Sequence, residues 1–230
     1  MECKTVIELL TLALAVGAFA VGLSQYRHAQ AWKRREFVAA EVEKLVNSPQ
    51  TRNALNMLDY TLRWIELYPD AVDPNKRYAR ISREYAAAML MPHAIDNRPH
   101  YGIAGAAIRD CFDELLTKLE NLQSMIVAGL IEKDDIAPYL SYWIRRIYEP
   151  LSPEKDEEIQ FHRNLRLYID TYNYRGVQNL CASFGYDIKP KQGDLEALKA
   201  ECASGRWKQR VDEWKGVMKE AVYSKGGSAS

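Results

Sequence analysis

Residues 5–23, TVIELLTLALAVGAFAVGL, constrain this chain more than any other stretch. Nineteen residues hold one ionisable side chain, Glu8, near the outer end. At ~1.5 Å per residue, a helix of this length covers about 28 Å, close to the ~30 Å hydrocarbon core of a bilayer. The remainder is far more polar, and the mean hydropathy of the whole chain is −0.36. The pattern predicts one membrane-spanning helix that carries a helical body. Two other readings of the same residues stand beside it. Ala18-Phe19-Ala20 has the small-x-small form of a signal-peptide cleavage site, but Glu2 and Glu8 against Lys4 leave the flank without a positive excess, and the apolar run continues to Leu23. A buried core helix would carry a polar stripe, which this stretch almost lacks.

Positive charge orients the span. Arg27, Lys33, Arg34 and Arg35, with His28, follow it closely, whereas Lys4 precedes it. A short-range Lys/Arg excess marks the cytoplasmic side, so the expected placement is a single pass through a cell inner membrane, N-terminus outside and body cytoplasmic. The same four cations suit anionic lipid headgroups, at about 1 kcal/mol each near the surface. Within the span, Ala13 and Gly17 are four apart, as are Ala18 and Gly22. Such small-xxx-small pairs let helices approach closely in lipid and point to a homo-oligomer. Glu8 then either faces a water-filled centre of that oligomer or snorkels to the near interface.

Lys+Arg and Asp+Glu are both 31, which argues against a nucleic-acid protein relying on a global positive field. Cys3, Cys111, Cys181 and Cys202 have no short paired spacing and read as reduced, space-filling thiols. The chain divides into an anchor (1–25), a juxtamembrane helix or stalk (26–48), a helical cytoplasmic domain (49–223) and an unstructured linker-like tail (224–230).

No Pro or Gly interrupts the chain between Leu23 and Pro49, so the anchor is expected to continue as one helix through Trp32, Phe37, Val42 and Val46. Ser48-Pro49 is a restart signal, serine as N-cap and proline in the first turn. Leu55, Leu58, Leu62 and Ile65 then read as one helical face, closed by Tyr68-Pro69. Asp73-Pro74 opens the next helix, over residues 76–90. Its Arg77, Arg80 and Arg83 recur every three residues on a shared face, either solvated with Arg80 paired to Glu84 or offered to lipid or an acidic partner. Residues 92–105 are irregular. Ile108, Phe112, Leu115, Leu119, Leu122, Ile126 and Leu130 form the longest apolar stripe, the expected centre of the core. Asp134 or Asp135 caps the following helix, with Ile136, Leu140, Trp143, Ile144 and Ile147 inward and Arg145 and Arg146 outward. Ser152-Pro153 starts another, which breaks near Gly176, and Gly185 ends that segment. Asp194 opens a short helix that Ser204-Gly205 ends. A last helix sets Trp207 and Trp214 on one face, suited to a membrane surface or to the body. Alternating strand patterns are lacking, and the expected class is all-α.

Chemistry finds little support. Ser152-x-x-Lys155 has serine–lysine spacing without the companion elements of penicillin-binding enzymes, and reads as a cap. Glu158 and His162, four apart, read as a solvated ion pair, since the Glu-x-x-His repeat of di-iron bundles is missing. His93, His100 and Cys111 match no zinc spacing. Phosphate- and dinucleotide-binding glycine loops are missing too. No histidine follows an arginine at the four-to-six-residue distance that helical ribonuclease domains of the higher-eukaryote-and-prokaryote nucleotide-binding class use. Tyr142-Trp143 with Arg145-Arg146 resembles a base-stacking element, but its periodicity turns Trp143 to the core. No catalytic, metal or cofactor residue is therefore assigned, and nucleic acid is not an expected partner.

With the exit Lys33-Arg34-Arg35-Glu36-Phe37 and the central FDELLTKLENLQSMIVAGLIEKDDIAPYL (residues 112–140), the chain resembles uncharacterised prokaryotic single-span membrane proteins with a helical cytoplasmic domain. These are similar in build to membrane accessory proteins of RNA-guided defence systems. The resemblance implies a non-enzymatic, self-assembling membrane effector or scaffold, with the span as anchor or pore wall. The alternatives are a monomeric adaptor tethering a partner complex and a helical hydrolase or nuclease.

Overall fold

A computed structural model of the chain describes residues 3–93 and 102–205. The expected last helix with Trp207 and Trp214, the tail over 224–230, and His100 lie outside the described residues. Helix occupies 73% of the described residues and strand 5%, so the fold is all-α with one small hairpin. The elements are α1 (Cys3–Asn47), α2 (Pro49–Asp59), β1 (Leu62–Glu66), a 3-10 turn (Pro74–Lys76), β2 (Tyr78–Ser82), α3 (Arg83–Met89), α4 (Gly102–Val127), α5 (Lys133–Tyr148), α6 (Asp156–Thr171), α7 (Arg175–Ser183) and α8 (Asp194–Ser204).

α1 is continuous over 45 residues, as the lack of Pro and Gly past Leu23 predicts. Its two ends meet different surroundings. Val38, Val42 and Leu45, spaced four and three apart, are buried against the body, where α1 packs on α2 and α5. Each such burial stabilises by about 2 kcal/mol, which fixes the end of α1 rigidly to the core. The apolar window, by contrast, is long enough and apolar enough to cross a membrane, and none of it is buried among the described residues.

The Ser48-Pro49 restart is present: Ser48 is extended and Pro49 opens α2. The expected continuation of that helix through Leu62 and Ile65 is not. Tyr60 takes extended dihedrals (φ −131, ψ 137), and the chain enters β1. β2 pairs with β1 antiparallel, Leu62 opposite Ser82, Trp64 opposite Arg80 and Glu66 opposite Tyr78. Asn53 Nδ2 donates to the Glu66 carbonyl (2.8 Å) and ties the hairpin to α2. The helix expected over 76–90 is thereby cut to α3, whose start is set by Ser82: its Oγ accepts the Tyr85 N–H at 3.1 Å.

α4 carries the long stripe, with Ile108, Phe112, Leu115, Leu119 and Leu122 buried. Leu130 leaves it. Gly129 has φ 69, its N–H donates to Ile126 O, and the Leu130 N–H reaches back to Met125 O (both 3.0 Å). This is the left-handed closure that ends helices at glycine, and it leaves Leu130 exposed. α5 is capped two or three residues earlier than Asp134 or Asp135 would place it, at Glu132. The Ser152 start is also displaced: α6 begins at Asp156 with Lys155 as N-cap. Among the long helices the most buried is α6 rather than α4, with ten of 16 residues buried, and the short α3 buries six of its seven. It lies against α3, and α4 lies against α2 and α7. Gly176 falls inside α7 and not at the break, which Asn173 makes with φ 61. At Gly176 a Cβ would meet Glu120 Oε1 at 2.9 Å, so glycine permits the close approach of α7 to α4.

Candidate functional site

The site of interest lies where α1 leaves its apolar stretch. Arg34 is the fixed point there. Its Nη1 donates to Glu132 Oε1 at 2.6 Å, and its Nε lies 2.7 Å from Asp135 Oδ2. The same Asp135 oxygen accepts the Glu132 N–H (2.9 Å), one arm of a capping box on α5. One guanidinium thus joins α1 to the first turn of α5, where the helix dipole already favours carboxylates.

Beside this latch lies an open groove of about 670 Å³ between α1 and the α4–α5 turn. Tyr26, Arg27, Lys33, Arg34 and Phe37 line it from α1, and Gly129 and Leu130 from the turn. Leu130 also lines a second groove of about 500 Å³ further along α1, with Lys44, Lys118 and Met125. The turn presents Val127 and Leu130 at 78% and 61% exposure, and Tyr26, which lines the groove with Leu130, stands at 61%. Arg27 and Lys33 form no ion pair among the described residues, while the latch sets two carboxylates against one guanidinium, so the three cations and two carboxylates leave the groove a small positive excess next to an apolar tip.

The interior holds a second concentration of polar groups, around α6. Arg83, expected on an exposed arginine face, is buried. Its Nε donates to Glu158 Oε1 at 2.7 Å, its other nitrogens reach the carbonyls of Met57 and Leu58, and it stacks 4.3 Å from the Phe161 ring centroid. Glu158 Oε2 accepts the Leu151 N–H (3.0 Å). The supposed solvated pair of Glu158 and His162 is therefore wholly internal, because Arg83 arrives from a distant segment to neutralise the carboxylate. His162 Nδ1 lies 3.1 Å from Ile147 O, which assigns the proton to that nitrogen. Burial pushes the His162 pKa down to about 3, the Ile147 hydrogen bond opposing and the charges of Arg83, Arg146 and Arg166 assisting. Arg146, expected outside, is buried with Nη1 on Glu149 O (2.8 Å), while Arg145 stays exposed. Arg166 makes a two-pronged pair with Asp194, and Tyr168 and Tyr174 both donate to Asp113 Oδ1. This network joins α3, α4, α5, α6 and α8. Two of its buried nitrogens, Arg146 Nε and His162 Nε2, make no hydrogen bond.

The remaining sequence-stated residues are scattered. Arg77 Nε donates to Ala71 O (3.0 Å) in the loop before β2, and Arg80 sits on β2, so the shared arginine face does not exist. Ala13, Gly17, Ala18 and Gly22 are exposed on α1 with Glu8, and nothing lies within 4 Å of a Cβ built on either glycine. Arg27, Lys33 and Arg35 follow on the same helix, Arg35 exposed. His93 shares Tyr172 and Arg109 as partners (2.7 and 3.1 Å) and belongs to the fastening between α3 and the end of α6. Cys111 and Cys181 are buried free thiols, both pushed up to about 12 by burial. Among the described residues no group of three His, Cys, Asp or Glu side chains is placed to hold a metal. The Val127–Leu130 tip and the Arg34 latch escape sequence reading. Gly129 ahead of the acidic run 132–135 is the one local signal for the turn.

Comparison with protein-family models, with curated proteins and with solved structures returns no match for this chain.

Proposed function

We propose that this chain is a single-span membrane protein whose helical body lies on the cytoplasmic side and serves as a non-enzymatic scaffold or effector. One observation carries the reading: an apolar helical segment with no burial of its own is continuous with a segment locked into the core. A helix that is apolar all round and left exposed needs a hydrocarbon surrounding. The docked end makes the body and the span one rigid unit rather than a domain on a flexible tether. The cations at Arg27, Lys33 and Arg35 support a cytoplasmic body. In this reading the span also self-assembles through Ala13, Gly17, Ala18 and Gly22, with the build that the resemblance associates with pores in defence systems.

Alkaline carbonate washing of membranes containing the full chain tests the anchor: the protein is expected to stay in the pellet, and release overturns the reading. The natural cysteines test orientation. A membrane-impermeant maleimide applied to intact cells is expected to label Cys3 and to reach Cys202 only after permeabilisation. Sizing in detergent tests assembly. Several protomers, reduced by Gly17→Leu, support packing through the span, whereas a monomer leaves the tethering adaptor in its place.

A further inference from the structure

We propose that Tyr172 is a nucleophilic site for covalent modification by an activated phosphate ester, with His93 as its base and Arg109 as the charge set against the developing phenolate. The inference goes beyond the scaffold reading and does not rest on the membrane anchor. It gives the helical body one residue that is modified once.

Three segments meet at this point. Tyr172 caps the end of α6, Arg109 lies on α4 and His93 follows α3. Arg109 Nη2 lies 2.7 Å from Tyr172 Oη and 3.1 Å from His93 Nδ1. A guanidinium only donates, so His93 Nδ1 is the ring nitrogen that carries no proton. The Tyr172 hydroxyl, 2.7 Å from that nitrogen, is therefore the donor between them. Its proton already points at the base, while its oxygen accepts from Arg109 and from the His93 backbone N–H at 3.3 Å. Burial and the Arg109 charge hold the imidazole below its ordinary 6.5, so it is neutral and can take a proton at pH 7.

The cation is held from behind and the nucleophile stands in front. Arg109 is buried, its Nη1 on the carbonyls of Met89 and Met91 (both 3.1 Å). It lies 4.7 Å from the Tyr168 ring centroid and 5.2 Å from that of Tyr172, and Tyr168 is itself tied to Asp113. A donor fixed in this way stabilises charge without reorganising when the charge appears. Tyr172, by contrast, is 38% exposed, and His93 is exposed beside it. A nucleophile in hydrogen-bond reach of a base that a third group orients is the arrangement for covalent group transfer. Phenolate oxygen is a hard nucleophile suited to phosphorus, and Arg175, three residues on, is exposed and forms no ion pair among the described residues. In the step, Tyr172 Oη bonds to phosphorus as its proton passes to His93 Nδ1. The bond from phosphorus to the leaving oxygen breaks with its electron pair on that oxygen, which takes the proton from the imidazolium.

The test uses the full chain in detergent and a fluorophosphonate probe, from which the same attack expels fluoride. Peptide mass spectrometry is expected to find the adduct on Tyr172, formed about a hundred-fold faster at pH 7 than on N-acetyltyrosinamide, the scale of general-base catalysis. The rate at Tyr172 should be level from pH 7 to pH 9, whereas free tyrosine gains about tenfold per unit up to its pKa of ~10. His93→Gln, at an exposed position, should lose both the advantage and the level profile while its urea unfolding stays that of the parent. p-Nitrophenyl phosphate is expected to leave phosphotyrosine at the same residue. Label spread over the exposed tyrosines, or a rate and profile unchanged in His93→Gln, overturns the nucleophile. Label on Tyr172 without phosphotyrosine from the ester overturns the phosphate assignment.

Discussion

Two helices place their residues in opposite ways. Between residues 7 and 26 α1 exposes Leu10, Leu14, Phe19 and Val21, while α6 buries Glu158, His162, Arg163, Asn164 and Arg166. On residue type alone, α6 would be the surface helix and the start of α1 the core. Partners explain the inversion. Each buried cation of α6's surroundings meets a carboxylate or a carbonyl: Arg83 meets Glu158, Arg163 meets Glu201 and Arg166 meets Asp194. Charges enter a protein interior only on those terms. Among the described residues the first half of α1 finds no apolar partner, and its apolar surface stays exposed.

The comparison breaks most sharply at Arg83. Arg83→Met leaves Glu158 buried without its cation and is expected to cost about 3–5 kcal/mol of folding stability, measured by urea unfolding in detergent. Adding Glu158→Leu should restore most of the loss, since an apolar pair of similar volume does without the desolvation of two ions. A single variant as stable as the parent would show that the pair does not hold α3 to α6.

Much of this architecture is legible in the sequence, and the failures have a common cause. α1, the start of α2, the stripe of α4, the inward face of α5 and the bounds of α8 follow from helical periodicity and from Pro and Gly positions, which act locally. The hairpin was hidden because Leu55, Leu58, Leu62 and Ile65 keep helical spacing across a helix end. In a five-residue strand, apolar spacing does not separate helix from strand. Tyr60, Thr61, Trp64 and Ile65 were the countersignal, aromatic and β-branched residues in a cluster. The polar interior is not local at all: Arg83 and Glu158 are 75 positions apart, and Tyr168 and Asp113 are 55 apart. The basic half of the groove was readable beside the apolar stretch, whereas its apolar wall arrives from a turn about a hundred residues later and becomes visible only with α5 packed on α1.

A second test concerns protons in that interior. His162 is neutral when folded, because burial pushes it down to about 3 from an ordinary 6.5, and the Glu158 carboxylate is already claimed by Arg83. Unfolding frees the imidazole to take a proton below pH 6.5. The unfolded state then binds more protons than the folded one, so stability falls as pH drops from 6.5 towards 3, by about 1.4 kcal/mol per unit. Unfolding measured at pH 6.5 and pH 5 should differ by about 2 kcal/mol more in the parent than in His162→Gln. Equal slopes would mean that this imidazole is protonated in the fold.

The smallest effect lies at the joint between the two regimes, where α1 passes from its exposed half to its docked half. Arg34 is about one-third exposed, Asp135 is nearly buried and Glu132 is open to solvent. Screening weakens the outer pair, so the latch as a whole is expected to contribute about 1 kcal/mol, between an exposed ion pair and a buried charged hydrogen bond. A double-mutant cycle with Arg34→Ala and Asp135→Ala should return a coupling of that size in unfolding experiments. Carbonate resistance should be unchanged in Arg34→Ala, because the apolar stretch before the latch is untouched. Hydrogen exchange should still rise over residues 34–45, where Val38, Val42 and Leu45 lose the clamp that holds them to the core. A coupling near zero would leave the apolar packing of those three side chains, and not the ion pair, to fasten the exposed half of α1 to the body.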